Sequence, residues 1–92
     1  MKYYSYDWKN SPGGNRNAPV TSHCYYEVGD DHYVVRQIEL YPSGAVLFYD
    51  PSHWADQYGR LSDLPIKEAP GLVAISKDEF ETIWQSNKPT NR

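Results

Sequence analysis

A single cysteine, Cys24, stands among the 92 residues, so neither an intrachain disulfide nor a multi-cysteine zinc site can form. Basic runs are missing too. Nucleic-acid binders neutralise phosphates with clustered Lys and Arg, whereas here 9 basic side chains are scattered among 12 acidic ones, for a net charge of −3. No nucleic-acid partner is expected, and a basic partner suits this balance better. No apolar stretch nears the ~18 residues that cross a bilayer, and the opening Met-Lys-Tyr-Tyr has no apolar leader core. The expectation is a reduced, cytoplasmic protein with no membrane partner.

Aliphatic side chains are also few, and the hydrophobic fraction is only 39%. Aromatics make up the shortfall. Nine Tyr, three Trp and two Phe bring the aromatic fraction to 15%, and each buried ring removes a large apolar area from water. A chain of this length forms one domain, residues 1–92, around one modest core.

Four strands are predicted. Residues 2–9 alternate Tyr4, Tyr6 and Trp8 against Tyr3, Ser5 and Asp7, a period-2 pattern. A loop of turn residues, 10–19, with Gly13 and Gly14, leads to a second strand over 20–28. Gly29-Asp30-Asp31 makes a tight turn into the strongest strand signal, 32–41, dense in β-branched and aromatic residues. Pro42-Ser43-Gly44 turns the chain into a fourth strand at 45–50. Short connections make this an antiparallel meander. Residues 51–75 read as an irregular crossover with one helical turn near Ser52–Gln57.

The last element is a helix over 77–87. Ser76-Lys77-Asp78-Glu79 is a capping box, the two acids sit at the positive end of the helix dipole, and Pro89 limits continuation. Phe80, Ile83 and Trp84 form an apolar stripe at i, i+3 and i+4. The predicted fold class is therefore α+β, a four-stranded antiparallel meander with one C-terminal helix packed on one face. That face is expected to carry Val34, Ile38 and Leu40 with Val46 and Phe48. The opposite face should carry Tyr33, Val35, Gln37, Glu39 and Tyr41, joined by Ser5, Asp7, His23, Tyr25 and Glu27.

No catalytic constellation is expected. Cys24 neighbours His23 and precedes His32, but adjacent strand residues point to opposite faces, and a lone cysteine is ordinarily a small buried hydrophobe. Asp50, His53 and Asp56 stand three apart and could converge on a metal if the segment coiled. Asp50 before Pro51 more simply starts a turn, so no metal or cofactor is expected. Asp7, Glu27 and Glu39 could share a face as paired carboxylates, a pattern equally shown by a solvated strand. Gly13-Gly14 lacks the Lys and the strand–helix context of a phosphate loop. Arg36 falls on the apolar face, where it needs a carboxylate such as Glu68 or a helix acid, or else a partner. Trp84 belongs to the core, while Trp54 is either a buried crossover residue or a surface anchor.

Three stretches carry a resemblance: His32–Gly44 with Tyr33, Arg36, Glu39 and Gly44; Leu61–Ile66 with Leu61, Pro65 and Ile66; and Ile75–Trp84 with Ser76, Glu79, Phe80 and Trp84. Their order and spacing resemble a family of small bacterial single-domain proteins known as a domain of unknown function. Members are similar to the immunity proteins encoded beside bacterial toxins. The chain departs from the pattern at Val34, where an acid is common, and in its longer Pro12–Asn17 loop. The resemblance implies a protein that neutralises a cognate toxin domain by binding, and it supplies no catalytic residues. A basic nuclease active site would attract acids. The expected contact residues are Asp7, His23, Tyr25, Glu27, Glu39, Asp50 and Trp54, with Asp30 and Asp31 at the rim. Two alternatives from other classes are a small-ligand or carbohydrate-binding module that uses Tyr and Trp platforms, and a self-associating homodimeric domain.

Overall fold

The computed structural model of the chain describes residues 1–7, 23–41, 44–63, 65–67 and 71–91. Seven strands and one helix follow in order: β1 (Lys2–Asp7), β2 (His23–Val28), β3 (Val34–Leu40), β4 (Val46–Tyr49), β5 (Ala55–Asp56), β6 (Gly59–Arg60), β7 (Leu72–Ile75) and α1 (Lys77–Ser86). The fold is α+β, as the sequence indicates. The main sheet is antiparallel with order β4-β3-β2-β1-β7, so it has five strands where four were expected. The first four form the predicted meander. The predicted loop 10–19, the ends of the first two strands and the Pro42-Ser43 part of the second turn lie outside the described residues.

The fifth strand comes from what read as an irregular crossover. Leu72-Val73-Ala74-Ile75 pairs with β1, Tyr3 opposite Ile75 and Tyr6 opposite Leu72. A four-residue run gains strand character only from its partner, and here that partner lies at the other end of the chain. Gly71 opens β7 at φ 89°, and a Cβ there would meet the Tyr6 ring at 3.2 Å, so both conformation and space call for glycine. The helical turn expected near Ser52–Gln57 is instead the short hairpin β5–β6. Asp-Gln-Tyr-Gly between two short extended stretches is turn chemistry, because the Asp56 side chain accepts from the backbone amides of Tyr58 and Gly59.

Both faces of the sheet are covered. α1 lies on one, over Tyr3, Ile38 and Phe48, with Leu40, Val46 and Ile75 around them. On the other, Leu61 and Ile66 pack against Tyr4, Cys24, Tyr26, Val28 and Val34. Val34 therefore faces away from α1, contrary to strict alternation. The cause is a β-bulge: Arg36 sits opposite Glu27 but Val34 opposite Val28, which leaves Val35 as an extra residue. Arg36, Ile38 and Leu40 keep the predicted face.

Ser76 caps α1 as its sequence indicates, with Oγ accepting from the Glu79 amide at 3.0 Å, and Asn87 closes the other end. The chain then returns to the free edge of β4. Val46 N–H donates to Thr90 Oγ1 and Val46 C=O accepts from Thr90 N–H. Phe48 N–H donates to Asn91 Oδ1 at 3.1 Å, and Asn91 Nδ2 donates back to Phe48 C=O at 3.1 Å. A side-chain amide thus occupies an edge that would otherwise template association. Asn91→Ala is expected to lower stability by about 1–2 kcal/mol through the groups left unpaired. It should also produce concentration-dependent association, measurable by light scattering. An unchanged, monodisperse variant would contradict this role for Asn91.

Candidate functional site

The expected contact residues do not share one surface. His23, Tyr25 and Glu27 pair with Leu40, Ile38 and Arg36, which places them on the α1 face and not on the opposite one. The correction follows from register, because residues paired across an antiparallel ladder project from the same side. Glu27 is 7% exposed and belongs to an ion network: Arg36 Nε donates to its Oε1 at 2.7 Å, Arg36 Nη2 to its Oε2 at 2.9 Å, and the Tyr3 hydroxyl to Oε2 at 2.9 Å. Glu81 of α1 takes the remaining side of Arg36, so a helix acid is the partner the sequence anticipated. Glu68, the other candidate, lies outside the described residues. Asp7 ends β1 opposite His23. Asp30 and Asp31 sit on the exposed tip of the β2–β3 turn, and Asp31 accepts from the Tyr33 amide. His32 holds φ 70° in that turn.

Asp50, His53 and Asp56 do approach one another, through turns and not a helix. Asp50 Oδ1 accepts from the backbone amides of Ser52 and His53, both at 2.9 Å. Asp56 is a hub: Oδ1 accepts from the Tyr49 hydroxyl and from the Tyr58 and Gly59 amides, while Oδ2 meets His53 Nε2 and Asn91 Nδ2, each at 2.8 Å. Burial works to raise the Asp56 carboxyl, and the hydrogen bonds from His53, Asn91, Tyr58 and Tyr49 outweigh it, holding the group well below the usual carboxylate range. An oxygen pair so fully used is a structural anchor. Among the described residues, no three His, Cys, Asp or Glu side chains are grouped to hold a metal ion.

The anchored hairpin presents two rings to solvent, Trp54 at 61% and Tyr58 at 55% exposure. Trp54 C=O accepts from Leu61 N–H, which sets Trp54 beside the strand that carries Arg60. Next to that strand lies an open cleft of about 410 Å³, bounded by Gln37, Glu39, Tyr41, Arg60 and Ser62 with Cys24 and Tyr26 below. Gln37 holds the cleft wall in place, donating to Arg60 C=O and accepting from Ser62 N–H. The Tyr41 hydroxyl donates to Glu39 Oε1 at 2.6 Å and Gln37 Nε2 to Glu39 Oε2 at 3.0 Å. Cys24 is 2% exposed, as expected of a packing cysteine.

Of the expected residues, Glu39 lines this cleft and Trp54 stands beside its Arg60 strand, whereas Asp50 is taken up in its own turn with Ser52 and His53. Tyr58 and Arg60 were not singled out in the sequence, although the turn signal Asp-x-x-Gly would have placed Tyr58 at a hairpin tip. No described helix is long and apolar enough to cross a membrane. Compared with protein-family models, curated proteins and solved structures, the chain finds no significant match.

Proposed function

We propose that this chain is a non-catalytic binding protein of the immunity type, which neutralises a cognate bacterial toxin, a nuclease, by covering its active site. One observation carries the reading: Trp54 and Tyr58 project into solvent from a hairpin whose backbone is pinned by Asp56, beside a cleft that holds Glu39. Exposed aromatics on a fixed backbone lose little entropy on association, and such rings recur as binding hot spots. The acidic balance of the chain suits a basic active site. The resemblance carried by the β3, 61–66 and α1 motifs supplies the class of partner.

The test is co-expression with the product of the neighbouring reading frame. That product should be toxic alone, harmless in the presence of this chain, and recovered with it on purification. A harmless product, or one that does not co-purify, removes the proposal. Trp54→Ala provides the internal control. It should leave the thermal midpoint unchanged, because the side chain packs little, and weaken capture about 30-fold, the scale of a 2 kcal/mol hot spot. Capture at wild-type strength would exclude the hairpin from the interface.

A further inference from the structure

The geometry points to the Glu39 cleft as a receptor for a guanidinium group, filled in the complex by an arginine side chain of the protein partner. The inference rests on the reading of this chain as a binding protein and names the chemistry that one part of its surface takes. Its first support is an imbalance of charge. Of the described carboxylates that are not fully exposed, Glu27 and Glu81 are both bonded to Arg36, Asp56 to His53, and Asp50 caps the amides of its own turn. Glu39 is half-buried, and among the described residues no Lys, Arg or His nitrogen lies within 4.0 Å of it. A partly desolvated charge without a counter-ion is costly and is ordinarily paired.

The second support is orientation. Each Glu39 oxygen accepts one hydrogen bond, from Tyr41 and from Gln37, and Gln37 is itself held by Arg60 C=O and Ser62 N–H. A carboxylate offers about four lone-pair sites, so both oxygens keep capacity for a forked donor. The guanidinium is flat, weakly hydrated and bidentate, and it tolerates contact with aromatic rings, two of which, Tyr26 and Tyr41, are among the lining residues. An ammonium would use one oxygen at a time. Arg60 does not fill the role itself, because its guanidinium turns to Asp63 at 3.6 Å on the exposed rim. The open cleft holds a free guanidinium weakly but saturably through Glu39, and a side chain carried by a partner seated on Trp54 and Tyr58 would be further enclosed.

Titration of the full chain with N-acetyl-L-arginine amide, followed by amide chemical shifts, reads the site without the partner. Saturable shifts at Tyr41, Arg60 and Ser62 are expected, with the lysine analogue at least five-fold weaker and the citrulline analogue silent. Glu39→Gln should weaken arginine binding at least ten-fold while melting no lower than the wild type. Glu39→Asp, which keeps the charge but withdraws it by one methylene, should weaken it several-fold. Absence of saturable shifts, equal binding of citrulline or lysine, wild-type affinity in Glu39→Gln, or a marked loss of its thermal stability would each overturn the inference. Partner capture by co-purification is scored separately, so the binding-protein reading can stand if this site fails, and the converse.

Discussion

Arg36→Ala should lower stability by about 3–5 kcal/mol, the loss seen when one member of a buried ion group is removed. The guanidinium bridges Glu27 on β2 and Glu81 on α1, and its Cζ lies 5.0 Å from the Phe80 ring centre and 4.9 Å from that of Trp84. Alanine would leave the Glu27 carboxylate under the helix with the Tyr3 hydroxyl as its remaining side-chain hydrogen bond and the charge of Lys77 nearby. In a domain whose total stability is about 5–15 kcal/mol, the thermal midpoint should fall by roughly 15 °C or more. Arg36→Lys is expected to recover only part, since an ammonium cannot make the paired bonds or stack on both rings. The triple replacement Glu27→Gln, Arg36→Met, Glu81→Gln should be less damaging than Arg36→Ala alone, because it removes the charges together.

The same network sets a pH dependence. The hydrogen bond from Arg36 holds the Glu27 carboxyl below the usual carboxylate range, burial opposes this, and the Tyr3 hydroxyl assists. A carboxyl depressed on folding contributes stability that is complete above its unfolded pKa and is lost as pH falls through the folded value. Wild-type stability should therefore drop as pH falls below the usual carboxylate range. In Arg36→Ala, protonation relieves an unpaired charge, so the gap between the two proteins should narrow on acidification. Urea unfolding from neutral to acidic pH measures both. A gap that stays constant would show that Glu27 and Arg36 are not coupled.

Phe80→Ala should cost about 3–5 kcal/mol, in the range of Phe truncations that open a cavity. Phe80 is 0% exposed and is the one fully buried residue of α1. It packs at 5.4 Å from the Tyr3 ring and 6.2 Å from Trp84, which in turn stacks on Phe48 at 4.4 Å. A ten-residue helix has little stability of its own, so its order depends on this docking. Hydrogen exchange should show loss of protection along α1 before the sheet is affected. Phe80→Leu, which refills most of the volume, should retain more than half of the lost stability. Equal protection of α1 in Phe80→Ala and the wild type would show that other contacts suffice.

Local features were legible where local forces decide them. The capping box at Ser76, the stripe of Phe80, Ile83 and Trp84, and the meander through the Gly29–His32 turn each depend on residues a few positions apart. Arg36 on an apolar face announced a carboxylate partner, Glu68 or a helix acid, and the structure supplies Glu81 of α1 together with Glu27 of β2. At the candidate site the exposed Trp54 was a stated option, yet its neighbours were not. The exposed Tyr58 ring and the Gln37 brace to Arg60 and Ser62 depend on segment 54–62 folding back across β3.

Composition and periodicity alone therefore determined an α+β domain with an aromatic core, a packing cysteine and a capped C-terminal helix, because those follow from side-chain type and spacing. Tertiary structure decided the rest. The bulge at Val35 shifted Val34 to the far face, and register carried Glu27 under the helix. Pairing of residues about seventy apart made Leu72–Ile75 a fifth strand, and Asn91 reached back to close the β4 edge. Each is a contact between distant segments, whose loop-closure cost and compensating bonds leave no periodic trace in the chain.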